Sequence, residues 1–304
     1  MGDVPFIPLN NGVTIPQLGF GVYRIAPGQT EQAVLAAFEA GYRHIDTAQR
    51  YGNEKQVGRA LARSGLSRDA VFLTTKLDVD RHGRREAIRE LEKSLGRLGT
   101  DHVDLYLIHW PEPGADRYVE TWTGFEEVLA DGRARAIGVS NFTRAHLQRL
   151  AAESTTIPAV NQVECHPLFA RTRLREFHRL QGIETEAWGP LGQGGPLLAE
   201  AEVVRLAHEY GRSPAQIVLR WHVQLGNIVC AKSTRPERMR QNISVVDFAL
   251  DDADMHVLTA LDVGEHRGPD LDHCPGPTGR LRRVARRVPG ARRAVRAARA
   301  LRSR

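Results

Sequence analysis

Four side chains that can transfer a proton or orient a proton acceptor lie at or just after three β-rich runs of this 304-residue sequence. Asp46 ends a short apolar run, Tyr51 lies in the polar turn after it, and Lys76 and His109 end the next two runs. An ammonium beside a phenol stabilises the phenolate and lowers a pKa that is ordinarily about 10. A carboxylate would keep that amine charged, and an imidazole would orient a carbonyl oxygen. These residue types predict protonation of a C=O group while another agent delivers hydride to its carbon.

The four side chains converge only if the strands that carry them are parallel neighbours. Strand and helix patterns alternate from Leu18 onward, with predicted strands at 18–21, 44–46, 71–75, 103–108, 134–139, 159–163, 184–187 and 228–231. This alternation favours an α/β fold with a closed (β/α)8 TIM barrel, whose strand C-termini share the face that carries the chemistry. An open doubly wound sheet is the alternative, although no strand is followed by its typical G-x-G-x-x-G turn. Two short runs around Asn10-Asn11-Gly12 predict a β-hairpin before the barrel.

The net charge of +6 comes from the C-terminal segment. Residues 276–304 contain eleven of the 42 Lys and Arg residues and no acid, which leaves 31 bases against 36 acids in the remainder. We therefore predict one barrel domain over residues 1–275 and an arginine-rich tail over 276–304, either disordered or loosely helical. Apolar tail positions at i, i+3, i+4 and i+7 would allow a helix on an anionic surface.

Several classes of protein are disfavoured by the composition. No apolar run approaches the roughly 18 residues of a membrane span, and the N-terminus lacks the basic and apolar regions of a secretory signal. Cys165, Cys230 and Cys274 are odd in number and far apart, which indicates reduced thiols in a cytoplasm. Cys165 precedes His166, but no second ligand pair follows at metal spacing, so no metal site is predicted. We expect a cytoplasmic monomer.

Three segments resemble the signatures of the aldo-keto reductases: residues 41–58, 135–142 and 232–242. The similarity extends over about residues 5–270 and includes His109-Trp110-Pro111 and the run at 161–167. It implies a (β/α)8 barrel, closed at its base by the hairpin, that reduces aldehydes or ketones with NADPH. The short loop after His109 is similar to bacterial members of the 2,5-diketo-gluconate reductase type.

The resemblance also implies catalytic and substrate-binding roles. Tyr51 would be the proton donor, Lys76 and Asp46 would tune it, and His109 would orient the carbonyl of a small substrate. The substrate pocket would be lined by Tyr23 and Trp110 together with His109. Trp110 suits packing of the barrel equally well.

Cofactor contacts are implied in two groups. The nicotinamide carboxamide would be held by Ser140, Asn141 and Gln162, with Trp188 stacked on the ring where the family usually has tyrosine. The 2′-phosphate of NADPH and the adenine would be bound by Lys232, Ser233, Arg238 and Asn242, because two cations and a hydroxyl suit a dianion. One departure precedes this loop, where Cys230-Ala231 replaces the more usual Ile-Pro.

Two other functions remain open at this point. Lys76 could act as a Schiff-base nucleophile in a lyase of barrel fold, but a neighbouring Asp46 would keep its amine charged. The chain could also be a non-catalytic nucleotide-binding subunit, held to nucleic acid or membrane by the arginine tail. The presence of all four catalytic residue types disfavours this second alternative.

Overall fold

The computed structural model describes residues 3–264, so the predictions for the tail lie outside the described residues. Strands β1 (Phe6–Pro8) and β2 (Thr14–Pro16) form an antiparallel hairpin. Eight further strands follow: β3 (Leu18–Gly21), β4 (His44–Asp46), β5 (Phe72–Leu77), β6 (Val103–Ile108), β7 (Ala134–Ser140), β8 (Val160–Glu164), β9 (Glu184–Trp188) and β10 (Ile228–Ala231). They form a closed parallel barrel in which β10 pairs with both β9 and β3. The predicted barrel is confirmed, and the open sheet is wrong.

Ten α-helices are found among the described residues: α1 (Pro27–Glu39), α2 (Glu54–Arg63), α3 (Arg84–Leu98), α4 (Tyr118–Ala130), α5 (Arg144–Glu153), α6 (Thr172–Gln181), α7 (Ala201–Glu209), α8 (Pro214–Gln224), α9 (Pro236–Ile243) and α10 (Asp252–Ala260). Local chemistry explains where they begin, as at α8. Ser213 and Gln216 form a reciprocal capping box there, and Pro214 occupies the first turn, where its missing N–H costs nothing. Within residues 3–264, no helix combines the length and apolar character needed to cross a bilayer.

The hairpin packs against the N-terminal end of the barrel. Leu9 and Ile15 are buried in a cluster with barrel-interior residues that include Leu105 and Ile228. The Asn10 side-chain amide donates to backbone carbonyls just before β8 and β9, at 3.2 Å from Pro158 and 3.1 Å from Gly182. The base of the barrel is therefore closed by apolar packing, and its opposite end is left for a site.

Candidate active site

The four proton-handling side chains come from three adjacent strands. Asp46 ends β4, and Tyr51 lies in a single 3-10 turn shortly after it. Lys76 lies inside β5, because pairing with β6 continues through Lys76 and Leu77 and ends one residue before His109. The prediction that Lys76 follows the end of its strand is therefore wrong by two residues. Parallel pairing still places all four at the C-terminal end of the barrel.

Lys76 lies at the centre of a buried hydrogen-bonded group. Its Nζ is 2.6 Å from Asp46 Oδ1, 3.0 Å from the carbonyl oxygen of Thr47 and 3.4 Å from the hydroxyl oxygen of Tyr51. The lysine side chain is fully buried, and that of Asp46 is 6% exposed. Three acceptors satisfy the three donors of an ammonium. The structure thus brings together the phenol, amine and carboxylate that the sequence separates.

The protonation states of this group follow from burial and from the neighbouring charges. Burial by itself would lower the pKa of Lys76, but Asp46 and Tyr51 together raise it above its ordinary value. Burial raises the pKa of Tyr51 by more than Lys76 lowers it. The expectation that the tyrosine pKa moves toward neutrality is therefore wrong, because a desolvated phenolate costs more than one ammonium compensates. Lys76 is charged, and Tyr51 keeps its proton.

His109 lies beside the tyrosine as a neutral imidazole. Its ring centroid is 5.7 Å from that of Tyr51, with the rings edge to face. Burial, and then the charge of Lys76, hold the pKa of His109 well below its usual range. Its Nδ1 is buried and has no hydrogen-bond partner among the described residues. A neutral imidazole can donate one hydrogen bond to a carbonyl oxygen without adding a positive charge.

Four side chains from β7, β8, β9 and the residue after β7 continue this network. Asn141, in a left-handed conformation with φ of 65°, donates to the carbonyl oxygen of His109 and to Ser140 Oγ, both at 3.0 Å. Its Oδ1 accepts from Trp188 Nε1 at 2.8 Å. Ser140 Oγ donates to the Gln162 carbonyl at 2.9 Å, and Gln162 Nε2 donates to Asp46 Oδ1 at 2.9 Å. The predicted carboxamide-binding residues and the predicted catalytic group are therefore one hydrogen-bonded unit.

The second predicted cofactor segment follows β10, next to the strand that carries Trp188. Ser233 and Asn242 are buried, and Ser233 Oγ accepts from the Arg235 backbone N–H at 3.1 Å, which shapes the turn before α9. Lys232 and Arg238 are exposed and form no ion pair within residues 3–264. Both cations are therefore available to an anion at this edge of the barrel.

The predicted substrate-pocket residues differ in exposure. Tyr23 is 49% exposed, and its ring centroid is 5.0 Å from that of Tyr51, so it lies at the mouth of the site. The Arg24 guanidinium lies 5.1 Å from the Tyr23 ring centroid. Trp110 is 7% exposed, which agrees with its packing alternative. A contact between Trp110 and substrate remains a prediction.

Asn53, a buried residue that was not among the predicted site residues, anchors the loop that carries Tyr51. Asn53 Nδ2 donates to the Val22 carbonyl at 3.0 Å, and its Oδ1 accepts from Thr47 Oγ1 at 3.2 Å. These bonds tie the segment after β4 to the segment after β3. An Asn just before a helical pattern suggests an N-cap, yet its side chain makes no capping bond. No local signal indicated this role.

Comparisons with known proteins identify the family of this chain. The aldo/keto reductase family model matches residues 17–263. An aldo-keto reductase of Mycobacterium sp. (strain KMS) is 50% identical over 266 residues, which are 88% of this chain and 96% of the relative. The methylglyoxal reductase DkgA of Yersinia pestis is 46% identical over 268 residues, with coverage of 88% and 96%.

A solved structure extends the comparison to a cofactor complex. The crystal structure of the Bombyx mori aldo-keto reductase AKR2E4 in complex with NADP superposes with a TM-score of 0.82. It is 36% identical to this chain, and the alignment covers 88% of this chain and 95% of that protein. The family match spans the whole barrel, including every strand that contributes to the site. This chain belongs to the aldo/keto reductase family.

Proposed function

We propose that this protein reduces small aldehydes and ketones to alcohols with NADPH, and that Tyr51 is the proton donor. The observation that carries the proposal is the position of Lys76 Nζ, which contacts Asp46 Oδ1 at 2.6 Å and the Tyr51 hydroxyl at 3.4 Å. The same Asp46 oxygen accepts from Gln162, whose strand belongs to the predicted nicotinamide site. Proton donor and hydride donor would therefore act at adjacent positions.

When bound, the cofactor supplies hydride from its nicotinamide C4 to the carbonyl carbon. The electron pair of the C=O π bond moves onto oxygen, and this oxygen takes the proton from the Tyr51 hydroxyl. Lys76 stabilises the resulting phenolate, since its ammonium lies beside the phenol oxygen. A tyrosine of raised pKa can still supply this proton, because an alkoxide is more basic than a phenolate. His109, neutral and beside the phenol, would orient the carbonyl oxygen.

The predicted selectivity for NADPH depends on the loop after β10. Lys232 and Arg238 are exposed cations, and the buried hydroxyl of Ser233 lies between them in sequence. Arg presents a planar fork that can bind two phosphate oxygens at once. A bound 2′-phosphate would satisfy these groups, whereas the 2′-hydroxyl of NADH would provide no negative charge for either cation.

Replacing Arg238 by Ala is expected to raise the NADPH KM by about 10-fold to 100-fold, the range for losing a charge-assisted bidentate contact. The NADH KM should change far less, because that cofactor lacks the 2′-phosphate. Initial-rate kinetics with both cofactors test this. Arg240→Ala, on an exposed position of the same helix, is the matched control. Equal effects of Arg238→Ala on both cofactors would place the 2′-phosphate elsewhere.

Replacing Trp188 by Phe should weaken NADPH binding by about 3-fold to 10-fold. Phe keeps a ring for stacking but loses the indole N–H that holds Asn141 Oδ1 at 2.8 Å. Equilibrium titration of NADPH fluorescence measures the affinity. Trp221→Phe is the control, since this indole is buried in a core cluster without Trp188 and its Nε1 donates to Thr259 Oγ1. Unchanged affinity in Trp188→Phe would remove Trp188 from the cofactor site.

The proposed function is tested by following the NADPH absorbance band during incubation with a panel of small aldehydes and ketones. Methylglyoxal and diketo-sugar acids belong in this panel because of the relative named methylglyoxal reductase and the predicted subtype. Oxidation of NADPH that depends on the carbonyl, with formation of the alcohol, is expected. No turnover with any member of the panel, despite NADPH binding, would instead favour the nucleotide-binding subunit. The Schiff-base lyase is disfavoured because Asp46 keeps the amine of Lys76 protonated.

A further inference from the structure

Three buried polar side chains lie inside the barrel and have no role in the proposed mechanism: His44, Glu186 and Cys230. His44 precedes Asp46 by two residues on β4, and Glu186 precedes Trp188 by two residues on β9. Alternate residues of a strand point to the same side, so both lie one layer below the active-site residues of their strands. Cys230 joins them from β10. We refer to these three residues as the lower polar layer.

The contacts of this layer leave Glu186 incompletely satisfied. Its Oε1 accepts from Cys230 Sγ at 2.9 Å and lies 3.7 Å from His44 Nε2. Its Oε2 is buried and has no hydrogen-bond partner among residues 3–264. Gly19 provides the space for the layer, since an added Cβ would lie 2.6 Å from His44 Nδ1 and 2.9 Å from Cys230 Sγ.

A histidine, a carboxylate and a thiol are also typical metal ligands. In the lower polar layer their potential ligand atoms lie within 4.8 Å of one another. The contacts favour hydrogen bonding instead. A zinc site needs a thiolate, whereas burial and then Glu186 raise the pKa of the Cys230 thiol well above its usual range. Both nitrogens of His44 already lie near protein oxygens, at 3.3 Å from the Pro16 carbonyl and 3.2 Å from Thr74 Oγ1.

The charged groups that face Glu186 are Asp46 and Lys76, and its other titratable neighbours are His44 and Cys230. Lys76 already forms a direct ion pair with Asp46. An ionised Glu186 would therefore be a second buried carboxylate near one ammonium, with the Cys230 thiol as a hydrogen-bond donor. Burial and the charge of Asp46 raise the pKa of Glu186 to about 7, although Cys230, Lys76 and Gln162 act in the opposite direction.

Building on the function proposed above, we propose that Glu186 is a positioning residue for carbonyl reduction. When Glu186 is a neutral acid, Asp46 is the carboxylate in direct contact with Lys76 among residues 3–264. Its ionisation adds negative charge beneath the Lys76–Asp46 pair, so formation of the Tyr51 phenolate costs more free energy. The rate of reduction is therefore high while Glu186 is protonated, and it falls as the pH rises through the pKa of Glu186.

The test is the pH dependence of single-turnover reduction, in which cofactor release does not limit the observed rate. Wild-type protein is expected to lose up to about tenfold in rate as Glu186 ionises, equivalent to one pKa unit at the phenol. Glu186→Gln should lose this decline, because the amide is neutral and its oxygen can still accept from Cys230. Glu184→Gln, the same change at the partly exposed start of β9, should keep the wild-type profile.

A second variant shifts the ionisation without removing the acid. The hydrogen bond from Cys230 lowers the pKa of Glu186, so Cys230→Ala should move the decline in rate to higher pH. This variant also keeps the proposal testable if Glu186→Gln does not fold. Infrared difference spectroscopy provides a readout independent of turnover. A C=O band from a protonated buried carboxylic acid should be present below neutral pH, disappear on alkalinisation and be missing from Glu186→Gln.

The outcomes separate this proposal from the proposed function. Superimposable pH profiles for wild type and Glu186→Gln would overturn the positioning role while leaving NADPH-dependent reduction intact. An infrared spectrum without a protonated carboxyl assignable to Glu186 would also overturn it. If neither protein reduced any carbonyl at any pH, the proposed function itself would fail, and this proposal with it.

Discussion

Replacing Tyr51 by Phe is expected to lower kcat for carbonyl reduction by about 10²-fold to 10⁴-fold, the usual contribution of a positioned general acid. The substitution removes only the hydroxyl oxygen that lies 3.4 Å from Lys76 Nζ, and the ring keeps its edge-to-face contact with His109. Binding of NADPH should be nearly unchanged, because the predicted nicotinamide contacts come from β7, β8 and β9. Steady-state kinetics and NADPH titration of the same preparation measure both quantities.

Tyr210→Phe is the matched control for the loss of a phenolic hydroxyl. Tyr210 follows α7 and donates to Asp254 Oδ2 at 2.7 Å, away from the active site. This variant should turn over like the wild type. Wild-type turnover by Tyr51→Phe would refute the assignment of the proton donor and leave the family membership intact.

Replacing Lys76 by Met is expected to affect both stability and turnover. Asp46 would remain buried and would keep the hydrogen bond from Gln162 but lose its cation. Removing one partner of a buried ion pair costs about 3–5 kcal/mol in the free energy of unfolding. The kcat should fall by at least about 10²-fold, because the Tyr51 phenolate loses its stabilising ammonium. Urea denaturation and steady-state kinetics measure the two effects.

The double variant Lys76→Met with Asp46→Asn separates these effects. It removes the uncompensated carboxylate, so most of the stability should return while reduction stays impaired. Recovery of turnover together with stability would mean that the ammonium acts only on folding. A single Lys76→Met variant with wild-type stability would contradict the buried ion pair itself.

The fold was predictable because its signals are local. The hairpin, the eight strands and their alternation with helices all follow from short-range patterns, and right-handed crossovers then leave few topologies. The predicted end of β5 was two residues too early. The polar residues Thr74, Thr75 and Lys76 looked like the end of a strand, yet backbone pairing with β6 continues through Leu77. Pairing with a neighbouring strand decides where a strand ends, and no local window contains that information.

The candidate site was predictable in its residue types and less so in its physical chemistry. The sequence placed Asp46 and His109 at strand ends, Tyr51 in the turn after the first of them, and Lys76 two residues too close to the end of its strand; the structure brings the four side chains together. The direction of the Tyr51 pKa shift was wrong, because the sequence names the neighbouring lysine but cannot report how completely the phenol is desolvated. Their catalytic roles remain proposals that the variants above address.

By itself, the sequence determined the barrel, its family and the identities of the residues at its mouth, because all of these are expressed in short patterns along the chain. Only the tertiary structure decided which side chains form hydrogen bonds with one another. Gln162 donates a hydrogen bond to Asp46, which is 116 residues away in the sequence, and Cys230 donates one to Glu186, which is 44 residues away. Closure of the barrel creates these contacts and the burial around them. Burial determines the cost of each charge, and this cost is a property of the folded interior that no segment of the chain carries alone.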